Sequence, residues 1–194
     1  MDQSKNHSKP AIGFLTVIDH PQHGLFGGYL VLNLAGRPLE FHCTAPIKPN
    51  RAQQILYGPT LESFLYGEQI GSTLLGHAKI SPWVVCTDRE PVLSLRDLVD
   101  LPVALVLPPD EPLESSDAGP EGHAAALRVD APHARGCRLL TFELGRNRLA
   151  LSPQKSDDRK LLCERLGEPA AALDLWEPFT RIREAIEEAQ QSAR

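Results

Sequence analysis

The feature that most constrains the fold is a pair of apolar runs, AIGFLTVI (11–18) and LFGGYLVLN (25–33), split by the polar stretch DHPQHG (19–24). Both runs are rich in β-formers and apolar on both faces. A strand with one solvated face alternates, so unbroken apolar runs predict strands covered on both sides. Pro21 and Gly24 set a polar turn between them. Gly27 and Gly28 fall inside the second run, where they mark a bulge or a close approach of a helix to the sheet. A third run, PLEFHCTAP (38–46), alternates: Leu39, Phe41 and Cys43 share one face, and Glu40, His42 and Thr44 the other. That pattern assigns Cys43 to the core. The three runs read as consecutive antiparallel strands.

The period then changes. Leu61, Phe64, Leu65, Leu74, Leu75 and Ala78 recur at helical spacing. Gly58-Pro59 divides this region into a short helix, about 50 to 57, and a longer one, about 59 to 77. Asn50 is placed to cap the first, and Pro59 suits an early position in the second. PWVVCTD (82–88) is a fourth strand, SLRDLVD (94–100) a short helix with Ser94 as its N-cap, and LPVALVL (101–107) a fifth strand. PPDEPLESSDAGPEG (108–122) is an acidic loop and the only internal boundary in the chain. Strands follow at 124–131, 138–144 and 148–153, the last two joined by a turn at 145–147. A helix at 157–167 stops at Gly167. Another, at 174–191, carries an apolar stripe of Leu175, Phe179, Ile182, Ile186 and Ala189.

The expected fold class is therefore α/β or α+β: a mixed sheet starting with three antiparallel strands, then helix-strand-helix-strand, flanked by helices. A C-terminal β-hairpin plus two helices completes it. The expected organisation is a disordered lead (1–10), an α/β core (11–107), the acidic loop (108–122) and an extension (123–194) packed on the core.

Charge narrows the partners. The net charge is −5 but uneven. Residues 88–122 hold nine acids against Arg89 and Arg96, whereas 128–155 hold six cations against Asp130 and Glu143. Overall acidity argues against broad nucleic-acid binding, which depends on phosphate neutralisation. Any such contact is expected only through the basic region 128–155. No apolar stretch approaches the ~20 residues of a membrane helix, and the start, MDQSKNHSKP, has no apolar signal core. The expectation is a cytoplasmic protein without membrane contact. Cys43, Cys86, Cys137 and Cys163 are widely spaced, so free thiols are expected and a zinc ribbon is not.

The order of elements over residues 11–107 resembles the ribonuclease-H-like architecture, which includes endonuclease V. That resemblance implies parallel first and fourth strands with catalytic acids near their carboxyl ends. Asp19 follows the first strand and Asp88 the fourth. Glu62 or Glu68 on the long helix would add a third carboxylate. Such a set would hold a pair of Mg²⁺ or Mn²⁺ ions ~3.5–4 Å apart for phosphodiester cleavage. A zinc site on Asp19, His20 and His23 is a second chemistry to test, since zinc takes nitrogen and carboxylate ligands. His42 and Cys43 point to opposite faces of their strand and cannot easily join one site.

Other chemistries lack a signature. There is no Gly-x-Ser-x-Gly, no Walker-type phosphate loop, and LFGGY lacks the spacing of a dinucleotide fingerprint. The least generic stretch is RAQQILYGPTLESFLYGEQIG (51–71). Arg51, Tyr57, Phe64 and Tyr66 supply the residue types that dominate protein interfaces. The leading expectation is thus a non-catalytic protein-interaction module with no cofactor. The metal-dependent phosphodiesterase is the alternative.

Overall fold

The computed structural model describes residues 10–109, 126–127 and 139–192. Residues 1–9, most of the acidic loop and most of the strand expected at 124–131 lie outside that set, as do Arg128, Arg135 and Cys137.

The protein has a mixed α/β fold. Among the described residues, eight strands form one sheet in the order β3-β2-β1-β4-β5-β8-β7-β6. They are β1 (Ala11–His20), β2 (Gly24–Asn33), β3 (Pro38–Cys43), β4 (Val84–Thr87), β5 (Val103–Val106), β6 (Ala126–Leu127), β7 (Leu139–Leu144) and β8 (Asn147–Leu151). The first three pair antiparallel, while β4 runs parallel to both β1 and β5. The hairpin β7–β8 continues the sheet, with β8 antiparallel to β5.

The double-sided apolar runs are β1 and β2, and layers cover both faces. On one face, Phe14, Leu30 and Cys86 pack with Leu162, Phe179, Ile182 and Ile186 of the C-terminal helices. On the other, Leu15, Tyr29 and Val85 pack with Leu65, Ile70, Leu74 and Leu95. The two glycines of β2 serve one face each. A Cβ on Gly27 would meet Ile70 at 2.2 Å, and one on Gly28 would meet Ile182 at 2.2 Å. Helical layers seat this close only because both positions lack a side chain.

The β1–β2 turn is local chemistry. Nδ1 of His20 accepts the backbone N–H groups of Gln22 and His23, each at 3.2 Å, and Gly24 takes φ 94°. At the other hairpin Gly145 takes φ 61°. Asn147, beside it, donates to the carbonyls of Ala170 and Leu173 and accepts from the Leu175 N–H. One buried amide thus ties the hairpin to the C-terminal helices.

The helical region departs from expectation. α1 (Arg51–Tyr57) forms with the anticipated Asn50 cap, and Gln53 completes a capping box. In place of one helix over 59–77, the chain winds through a 3-10 turn (Gly58–Thr60), α2 (Leu61–Ser63), a π-helical segment (Phe64–Gly71) and α3 (Ser72–His77). A π turn closes with i→i+5 hydrogen bonds, which brings Leu65 and Ile70 toward the same side. Gly67 and Gly71 instead face the helical element after β4, where Cβ atoms would meet Ser94 and Leu95.

That element is a 3-10 segment (Glu90–Asp97), not a short α-helix starting at Ser94. Ser94 caps nothing; its hydroxyl donates to the carbonyls of Ser63 and Pro91. Cys43 is also corrected: it is exposed. β3 is the sheet edge, and the last helix lies over β1 and β2, so the outer face of β3 has no cover. The C-terminal helices are α4 (Asp158–Leu166), α5 (Pro169–Ala172) and α6 (Glu177–Ser192). The guanidinium of Arg96 grips the Asp158 carboxylate at 2.6 and 3.1 Å, joining the 3-10 segment to α4.

Close packing at Gly28 makes a prediction. Gly28→Val forces Ile182 off the sheet and should cost about 3 kcal/mol, read by urea unfolding. Gly76→Ala on α3 is the control. Its Cβ meets nothing within 4 Å, so it should be neutral or stabilising by about 0.5–1 kcal/mol. Equal effects of the two substitutions would refute the close-packing account.

Candidate functional site

The carboxyl ends of β1 and β4 lie side by side. Leu15 pairs with Thr87 across the parallel ladder, which puts Asp88 level with Thr16. Asp19 stands three residues further along β1, roughly 10 Å at the rise of a strand. An odd offset also reverses the face. Asp88 turns toward α6, where Arg183 donates to its Oδ2. Asp19 turns toward the π-helical side. The structure thus separates the two carboxylates expected to share a metal pair.

The Asp88 side chain is only 2% exposed, and Arg183 is its charge partner. A buried carboxylate needs such a partner, because desolvation without one costs several kcal/mol. The neighbouring Arg89 turns the other way and donates through Nε to the Val17 carbonyl at 2.9 Å. Asp19, Glu62 and Arg89 are within electrostatic reach of Tyr66. Burial pushes the Tyr66 hydroxyl above its usual range. Arg89 opposes that, and Glu62 and Asp19 add to it. Glu68 is exposed on the outer side of the π-helical segment.

The rings of His20 and His23 lie 4.6 Å apart between centroids, with their planes tilted by 43°, in the turn. One ring nitrogen of His20 is already accepting backbone N–H groups. Among the described residues, no group of three or more His, Cys, Asp or Glu side chains is placed to hold a metal ion. His20 and His23 lie together in the β1–β2 turn beside Asp19, and Asp88 lies on the other face with Arg183. Among the described residues, no helix is long and apolar enough to cross a membrane.

The other expected surface is α1 together with the aromatics just beyond it. Tyr57 and Phe64 stack face to face, 4.0 Å between centroids and 22° between planes. They are spent on each other and brace α1 against the body. Tyr66 is half-buried. The outward side of α1 presents Arg51 with Ile55 and Leu56, which are 66% and 81% exposed. No residue of α1 is buried. Ile55 and Leu56 were not among the expected contact residues. Their signal was an apolar pair with only Ala52 at helical spacing, too little to form a core-facing stripe.

No protein-family model matches the chain. No curated protein matches it either. Among solved structures, the chain is similar to the crystal structure of human ENDOV, with 14% identity and a TM-score of 0.42 over 95% of this chain and 87% of that one. A likeness this weak carries no argument about activity.

The Asp88–Arg183 pair yields a test. Arg183→Met strands a buried carboxylate and should cost about 3 kcal/mol by urea unfolding. Adding Asp88→Asn to Arg183→Met removes the stranded charge and should recover more than half of that loss. An Arg183→Met variant as stable as the parent would show that the pair contributes nothing.

Proposed function

We propose that the protein is a non-catalytic interaction module that presents α1 to a protein partner. The observation that carries this reading is the exposure of Ile55 and Leu56 on a helix that buries nothing. Large aliphatic side chains standing this far into water mark a contact surface when they sit together. Length adds to the argument. Isolated helices below ~12–15 residues are marginal in water, and α1 has seven residues. Its capping box and the Tyr57–Phe64 stack hold it in shape without giving it a buried face. A preformed short helix binds at lower entropic cost than a segment that must fold first.

The matching partner surface is an apolar groove that takes two adjacent aliphatic side chains, with an acceptor for Arg51 at its edge. The phosphodiesterase alternative has less support, because Asp88 is neutralised by Arg183 and faces away from Asp19.

The experiment is capture from the native host with tagged parent protein and an Ile55→Asp/Leu56→Asp variant, read by quantitative mass spectrometry. The expected result is a partner held by the parent and lost by the variant, with thermal stability within about 0.5 kcal/mol of the parent, as for other exposed positions. Leu161→Asp, at an exposed leucine on α4, should leave capture intact. The same captured set from parent and variant would overturn the reading. A second measurement addresses the alternative: millimolar Mg²⁺ or Mn²⁺ should leave Tm unchanged, whereas a saturable rise would argue for a native-state metal site.

A further inference from the structure

Among the described residues, β3 ends the sheet on one side. A free edge presents unpaired N–H and C=O groups, and monomeric proteins guard such an edge with lysine, proline or a bulge. Pro38 and a bulge opposite Val31 and Leu32 blunt the start of β3. Beyond them the guard is missing. From Glu40 to Cys43 the pairing with β2 is regular, and residues 38–47 include no lysine or arginine.

The direction of the main chain shows what this edge offers. The Thr44 N–H donates to the Gly27 carbonyl at 2.9 Å, so Thr44 turns its backbone toward β2. Backbone groups alternate direction along an antiparallel strand. Phe41 and Cys43 therefore turn their N–H and C=O groups outward. Among the described residues, no backbone hydrogen bond from a turn or loop reaches either one. Their side chains stand on the α6 face, since Phe41 pairs with Leu30 and Cys43 with Gly28. Phe41 is 40% exposed there, and Cys43 is exposed as well.

The edge is preformed. The Glu40 carboxylate accepts the N–H groups of Lys79 and Ile80 at 2.9 and 3.0 Å, which ties β3 to the segment before β4. Pairing along a strand already held in place costs little ordering. The edge is also self-complementary. Phe41 and Cys43 flank His42, so a two-fold axis at His42 sets Phe41 of each copy opposite Cys43 of the other. Residues paired in this way exchange two hydrogen bonds, and all the outward N–H and C=O groups of Phe41 and Cys43 are satisfied. The same axis brings the two exposed apolar pairs together on one face. It sets Glu40 opposite Thr44, so no like charges meet. An axis at Glu40 would oppose two carboxylates, which is unfavourable, and one at Phe41 would recruit Leu39 from the bulge.

We propose that β3 is a docking edge for a second copy of this chain. Two copies pair β3 antiparallel about a two-fold axis at His42 and join their sheets into one. The contact is isologous, so it closes as a dimer and does not propagate. A ladder this short makes a reversible dimer, not an obligate one. The edge is independent of the α1 surface and stands if that reading fails.

The test is sedimentation velocity of the full chain over a range of concentrations up to millimolar. The parent should show a monomer–dimer equilibrium. Phe41→Lys and Cys43→Lys should each raise the dimer dissociation constant about tenfold or more, since every substitution counts twice in a symmetric pair. Thermal unfolding of each variant reports its fold, and Cys43→Lys decides alone if Phe41→Lys does not fold. Ile55→Asp/Leu56→Asp should leave the dimer intact. Register is read by crosslinking. Opposed residues that do not exchange hydrogen bonds lie about 4.5 Å apart between Cα atoms, within disulfide reach. His42→Cys combined with Cys43→Ser should therefore form an intermolecular disulfide on oxidation, and Cys43→Ser alone should not. Four results would overturn the proposal: a parent that stays monomeric throughout, a dimer unchanged in every folded β3 variant, a dimer lost in Ile55→Asp/Leu56→Asp, or a dimer that gives no crosslink at position 42.

Discussion

Everything in this fold hangs on the two glycines of β2. A strand in mid-sheet has a helical layer above and another below, and the distance between layers is set by the side chains that stand on the strand. At Gly27 and Gly28 nothing stands there, so Ile70 presses in from one side and Ile182 from the other. Dispersion and apolar burial both fall off steeply with separation. The positions of the π-helical segment and of α6 are therefore set from the middle of one strand. From α6 comes the placement of Arg183 over Asp88, and from the π-helical segment comes the placement of α3 on the sheet.

Much of the sheet is legible in the residues. β1 and β2 are readable because a strand buried on both faces cannot alternate, and β4 and β5 for the same reason. The hairpin of β7 and β8 shows through its turn residues, and α6 through its stripe. The π-helical segment is not readable from a 3.6-residue period. The expected stripe jumps from Leu65 to Leu74, and the gap is where Ile70 packs at a spacing of five. Cys43 misleads because alternation reports that a strand has two kinds of face, while burial depends on whether another layer reaches it. β3 is at the edge, and α6 stops short of it.

The functional positions divide in the same way. Asp19 and Asp88 are visible as acids at strand ends, but their separation is a matter of register. One odd step along a strand exchanges faces, and no composition or spacing rule contains the offset between two distant strands. Arg183 carries no warning either, as one of several charges on an amphipathic helix. Ile55 and Leu56 are plain aliphatics whose meaning comes only from the lack of anything packed on them.

The helical stretch from α1 to α3 is bound to the sheet through the π-helical segment and Leu74 of α3, and α1 is its free end. Its middle, the π-helical segment, is clamped between Gly27 on one side and Ser94 and Leu95 on the other. α1 projects from it with no buried residue, and α3 borders a cleft at the amino ends of β4 and β5. Residues clamped in the middle cannot slide without opening close contacts on two sides, because packed interiors deform little. The two ends are therefore held in fixed relation through a rigid middle. Ile70 and Leu74 rest on Gly27, which sets the height of α3 over the sheet. The height of the helical layer over the sheet is thus set by a side chain that β2 lacks.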